Sequence, residues 1–179
     1  MPRIPVHTVN SAPGASRDAL KALEEKYGKV LNIHGEMAHS PAVLHAYVAL
    51  QDVLREHSTL DAPTREAIAL AVGNEDDCTY CQSAHTGGGK AVGLTDDQMI
   101  AIRRGRAEDP ELDALLRLAR EFTAKVGNTS DEAWQAALDA GWSDVQLTEL
   151  TTHVTLNLLT NYFNHHVHTE LDVPEAPEV

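Results

Sequence analysis

Thr64-Arg65-Glu66-Ala67-Ile68-Ala69-Leu70-Ala71-Val72, followed by Cys78-Thr79-Tyr80-Cys81-Gln82-Ser83-Ala84-His85, is the stretch on which the reading of this chain turns. Its first half ends in the alanine-rich apolar run Ala67–Val72, on a helix that Asp61-Ala62-Pro63 opens and Gly73-Asn74 closes, which are helix start and stop signals. Its second half holds the only two cysteines of the chain, two residues apart, with a histidine four residues later. On a helix, Cys78, Cys81 and His85 fall at i, i+3 and i+7 and share one face. Glu66, twelve residues before the first cysteine, lies on the preceding helix. A short connection can fold its carboxylate back toward His85.

Helical spacing continues outward from this centre. The periodicity predicts helices from about Ser16 to Tyr27, stopped by Gly28, and from Pro41 through Leu54, with a short turn around Leu31 to Met37 between them. Downstream, Thr95–Gln98 and Ser143–Gln146 read as capping boxes. Pro110 starts a helix that reaches Val126, Ser130 caps a short one, and a long one runs from about Val145 to about His168. Asp76 or Asp77 is expected to cap the cysteine helix. No stretch reads as a strand. Aromatics make up only 4% of the residues while alanine and leucine dominate, which favours close-packed helices over a sheet. The expectation is an all-α fold of about eight helices in one domain, residues 16–172, with an extended arm over 1–15 and a loose tail over 173–179.

Charge and composition exclude several functions. With 14 Lys+Arg against 27 Asp+Glu, the formal charge is −13, which argues against nucleic acid and anionic membrane surfaces as partners. No apolar run approaches membrane-spanning length, and residues 1–15 lack the apolar core of a signal peptide. A cytoplasmic location is expected. In a reducing compartment a CxxC pair points to redox or metal chemistry rather than to a structural staple.

Three chemistries fit the pattern. A helix N-terminus lowers the pKa of thiols placed on it, and His85 can take a proton from a thiol or stabilise its thiolate. Glu66 can orient the imidazole and relay the proton. One cysteine can then resolve a sulfenic acid on the other, closing a Cys78–Cys81 disulfide. Alternatively, Cys78, Cys81 and His85 supply three ligands for zinc, with Glu66 or a C-terminal histidine as the fourth. Both cysteines can also be read as small buried hydrophobes. Gly87, Gly88 and Gly89 mark either an early helix break or a close approach of another element. His153, His165, His166 and His168 read as solvated or as subunit contacts, and Arg103, Arg104 and Arg106 as a solvated helix end.

The spacing E-x11-C-x2-C-x3-H at Glu66, Cys78, Cys81 and His85 resembles the carboxymuconolactone decarboxylase-like superfamily in its alkyl hydroperoxidase D (AhpD)-like branch. The flanking Thr64–Leu70 and Gly93-Leu94-Thr95 agree, as do Asn161-Tyr162-Phe163-Asn164 and Glu170–Pro174. The resemblance implies a helical homo-oligomer, a trimer or hexamer, with thiol peroxidase or disulfide reductase activity on a small-molecule peroxide. It implies that Cys81 attacks the peroxide, that Cys78 resolves it and is the sulfur more open to a reductant, and that Glu66 and His85 relay protons. No bound cofactor is implied. The reductant is an external dithiol or protein, of lipoyl type in AhpD itself. AhpD carries a histidine immediately before the second cysteine; here it is Tyr80, an auxiliary candidate able to donate a hydrogen bond to a thiolate or peroxide. A decarboxylase of the same superfamily and a zinc- or redox-sensing module without turnover are the alternatives.

Overall fold

The computed structural model describes residues 1–179 and contains nine helices and no strand. They are α1 (Gly14–Tyr27), α2 (Asn32–Met37), α3 (Pro41–His57), α4 (Ala62–Glu75), α5 (Thr79–Ala91), α6 (Asp96–Arg103), α7 (Pro110–Ala124), α8 (Asp131–Ala140) and α9 (Asp144–Val167). The caps fall where side-chain chemistry puts them. Asp61 accepts the Thr64 N–H, Ser130 accepts that of Ala133, and Thr95 and Ser143 each complete a capping box.

The expected eight helices become nine because the turn around Leu31–Met37 is helical. Gly35 hid this in the sequence. A Cβ there would collide with Val6 and with the His7 carbonyl, 2.6 Å away, so the glycine serves close packing of the arm. The arm itself is held to the body: the Arg3 N–H donates to the Val167 carbonyl at 2.8 Å and the His7 N–H to Gly35 at 3.2 Å. Residues 173–179, expected to be loose, are pinned as well. The Ala176 N–H donates to Ser83 Oγ at 3.0 Å, and Arg103 donates to the Pro177 carbonyl. Arg103 is thus no solvated helix end; it is buried, and its Nε holds Gln82 Oε1 at 2.8 Å.

α4 is the axis of the molecule. Ala67 through Gly73 are all buried, because α5, α6, α7 and α9 surround the helix, and its small side chains let them approach. The buried apolar residues form two cores. One joins α4 to α6, α7, α8 and α9; the other joins α1, α2 and α3 to Tyr80, Cys78 and Cys81. Glu149 on α9 braces the entry to α4: the Thr59 N–H and hydroxyl donate to Oε2 at 2.9 and 2.8 Å, and Ser58 and His153 flank Oε1. His153 is therefore a buried structural residue. No helix is long and apolar enough to cross a membrane.

Candidate active site

The cysteine loop is built by a change of direction after α4. Asp77 takes a left-handed backbone, φ 53°, and the Cys78 N–H returns to the Gly73 carbonyl at 2.8 Å. Cys78 itself is the N-cap of α5: its Sγ accepts the Cys81 N–H at 3.3 Å. Neither aspartate caps the helix as the sequence suggested. Asp76 faces α9 instead, where its carboxylate accepts from Asn161 Nδ2 at 2.8 Å and its carbonyl meets His165 Nε2 at 3.0 Å. Cys78 therefore precedes the helix, while Cys81 and His85 lie one turn apart on it.

The two thiols are free and 2.6 Å apart, Sγ to Sγ. They do not ionise alike. The hydrogen bond from Cys81, together with the Cys81 N–H, lowers the Cys78 thiol to about 7 against its burial. That same hydrogen bond, burial and the charge of Cys78 push the Cys81 thiol up. The pair thus loses one proton near neutrality and shares the other, behaving as one titrating unit. Both sulfurs are buried, so Cys78 is not the open one the resemblance implied. Cys81, and not Cys78, borders a cavity of about 460 Å³.

His85 and Glu66 also line this cavity, and His85 Nδ1 lies 2.8 Å from Glu66 Oε2. Burial opposes charge on both, but the ion pair prevails: His85 is raised and Glu66 lowered from their ordinary values. The glycine run continues α5 without a break, and Gly88 is the reason Glu66 can reach. A Cβ on Gly88 would stand 2.5 Å from Glu66 Oε2 and 2.8 Å from its Cδ. Gly88→Ala is therefore expected to displace the carboxylate and cut activity about tenfold or more, the scale of a weakened acid–base partner. The helix itself gains up to about 1 kcal/mol of propensity from the same change. Activity assayed beside a thermal melt separates these effects; an active Gly88→Ala protein would refute the packing argument.

Tyr80 lines the cavity, but its hydroxyl is committed elsewhere. It donates to Asp172 Oδ1 at 2.7 Å, while Asp172 Oδ2 meets Lys29 Nζ at 3.1 Å and the Asn32 N–H at 3.2 Å. The Tyr80 hydroxyl ties the C-terminal strap to the site rather than serving a thiolate, and burial with this bond holds its proton. No group of three or more His, Cys, Asp and Glu side chains is arranged to hold a metal, so zinc at Cys78, Cys81 and His85 has no geometric support. His165 meets the Asp76 carbonyl and His168 takes the left-handed position that ends α9.

Several site residues lie outside the E-x11-C-x2-C-x3-H pattern. Asn164 Nδ2 donates to Cys81 Sγ at 3.2 Å and lies 3.9 Å from Cys78 Sγ. Across the cavity, Gln51 Nε2 donates to Tyr47 Oη at 2.6 Å, and His34 Nε2 lies 3.2 Å from the same oxygen. Burial lowers His34 to about 4, so it stays neutral there. The spacing Asn157, Asn161, Asn164 was a clue: i, i+4 and i+7 put three amides on one face of α9, and all three are buried.

An all-helical domain with a cysteine pair at a helix N-cap and a carboxylate-held histidine one turn on defines a class of thiol-bearing helical proteins. The profile of the Carboxymuconolactone decarboxylase family matches residues 41–124, from the start of α3 to the end of α7. The match to that family covers just under half of the chain, and the whole chain has the AhpD core fold. Among solved structures it is similar to the AhpD core of an uncharacterized peroxidase-related protein from Ralstonia eutropha JMP134. The TM-score is 0.85 at 20% identity, over 96% of this chain and 92% of that one. A peroxidase-related protein from Silicibacter sp. TM1040 gives 0.81 at 18%, over 94% and 91%. A cysteine-to-alanine variant of the debrominase Bmp8, in complex with 2,3,4-tribromopyrrole, gives 0.79 at 14%, over 95% and 91%. An uncharacterized protein of Haemophilus influenzae is 43% identical over 63 residues, 35% of this chain. The chain spans 56% of that relative's length.

Proposed function

We propose that the chain is a thiol peroxidase of the AhpD type that reduces organic hydroperoxides with the Cys78/Cys81 pair. The observation that carries this reading is the contact between two free thiols that lose one proton near neutrality and share the other, one thiol opening on a cavity beside the Glu66–His85 pair. Cys81 is the cavity-facing sulfur and so the attacking one; the remaining proton passes to Cys78 across the sulfur–sulfur contact. The Cys81 thiolate forms an S–O bond with the terminal peroxide oxygen, the O–O bond breaks, and the alkoxide takes a proton from His85. Cys78 then attacks the sulfenic sulfur, the S–S bond forms as the S–O bond breaks, and the hydroxide leaves as water with the Cys78 proton. An external dithiol, of lipoyl type by the same resemblance, returns two electrons by attacking the disulfide at Cys81 through the cavity.

The cavity is larger than hydrogen peroxide needs and suits an organic body. Its lining includes one Lys or Arg, Lys29, and that is engaged by Asp172. This speaks against the decarboxylase alternative, whose anionic substrate needs cations. The cavity size and the likeness to a debrominase support a second reading, in which the same two electrons remove halogen from a small ring. The test is hydroperoxide loss with dihydrolipoamide as donor, followed beside bromide release from a brominated pyrrole. Catalytic peroxide loss is the expected result. Bromide release alone would transfer the assignment to the second reading, and neither activity would overturn both.

A further inference from the structure

Asn164 stands on the last turns of α9, buried, and belongs to no part of the E-x11-C-x2-C-x3-H pattern. Its amide N–H reaches both sulfurs from outside the CxxC, and it favours one of them: 3.2 Å to Cys81 against 3.9 Å to Cys78. Its carbonyl oxygen is buried and has no hydrogen-bond partner. An unpaired buried carbonyl is costly, and such atoms in native proteins usually have a use. Asn164 also lines the cavity, beside the sulfur that meets substrate.

We propose that Asn164 is a catalytic residue of the redox centre: its N–H holds the negative charge on the cavity-facing Cys81, and its carbonyl accepts the O–H of the incoming hydroperoxide. The loop otherwise favours Cys78, which has the backbone N–H of Cys81 as a donor. Asn164 supplies the counterweight. The charged groups around the pair cannot replace it. His85 is held by Glu66 from α4, His165 on α9 is spent on the Asp76 carbonyl, and the Asp76 carboxylate is turned to Asn161. None of them hydrogen-bonds a sulfur. As the S–O bond forms, the carbonyl keeps the O–H it already holds, now that of the sulfenic acid. No electron or proton beyond those of the peroxide reaction is required.

The carbonyl's part rests on the peroxidase reading; the N–H's part does not. The test therefore uses Cys78→Ser protein, in which Cys81 is the sole thiol. Thiolate formation is followed by ultraviolet absorbance against pH and by iodoacetamide alkylation, neither of which needs peroxide. Adding Asn164→Ala or Asn164→Asp should raise the Cys81 pKa by about one to two units, the scale of a hydrogen bond to a charged group, and slow alkylation at neutral pH about tenfold or more. Asn164→Asp is close to isosteric, so it keeps the test standing if the alanine variant packs badly. An unchanged titration in both would overturn the proposal. Oxidation of Cys81 by cumene hydroperoxide should fall further than alkylation does in Asn164→Ala, and equal falls would overturn the carbonyl's role. Inert peroxide with Asn164 intact would sink the peroxidase reading while alkylation still judges the N–H.

Discussion

Cys81→Ser is expected to abolish turnover, a loss of about a thousandfold or more, because a serine hydroxyl stays protonated where a thiol yields a nucleophilic thiolate. Cys78→Ser should also stop turnover, but at a different point. There the Cys81 thiolate can still take oxygen from one hydroperoxide, and with no partner thiol to displace it the sulfenic acid persists. Dimedone should label about one sulfur per chain, and peptide mass mapping should place the label on Cys81. Removing Cys78 also removes the neighbour that pushes the Cys81 thiol up, so the single remaining thiol should ionise at lower pH than Cys81 does in the pair. The competing assignment is specific. Cys78 is the thiol lowered to about 7, and if acidity outweighed access, the dimedone adduct would form in Cys81→Ser protein and not in Cys78→Ser. That result would reverse the two roles. Access is expected to win, since the cavity meets Cys81 and not Cys78.

Most of this architecture is local and therefore readable. Asp61, Thr95, Ser130 and Ser143 cap helices through their own side chains, and prolines at first-turn positions mark three starts. What sequence alone could not show depends on partners distant in the chain. α2 looked like a turn because Gly35 is there to admit Val6 and His7, about thirty residues earlier. The strap looked loose because its anchors, Ser83 and Arg103, lie on other helices. Tyr80 looked free to serve the thiols because Asp172, which takes its hydroxyl, is far along the chain. The Glu66–His85 contact was readable in kind, since a buried carboxylate needs a partner and the spacing offered one. Its enabling condition, a missing Cβ at Gly88, was visible only as an unexplained glycine.

That contact gives the second large effect. Glu66→Gln keeps the shape of the side chain and removes the charge that raises His85. In the proposed reaction His85 must be protonated to serve the leaving alkoxide, and the cysteine pair must have lost a proton. The rate should therefore climb as the pair ionises near 7 and fall as pH passes the raised His85 value. Without Glu66 the imidazole gives up its proton at lower pH. The descending limb should move toward acid while the ascending limb stays, so the optimum narrows and its height drops about tenfold to a hundredfold, the range for a general acid mistuned rather than removed. Stability follows a separate sign rule. The raised His85 stabilises the fold fully below its unfolded value of 6.5 and loses that contribution as pH rises through the folded value. The lowered Glu66 contributes above its unfolded value of 4.5 and loses that as pH falls through the folded one. The pair is thus worth most between 4.5 and 6.5, and the difference in melting temperature between wild type and Glu66→Gln should be largest there and shrink on the alkaline side. A descending limb that does not move in Glu66→Gln would remove His85 from the role of acid, whatever happens to stability.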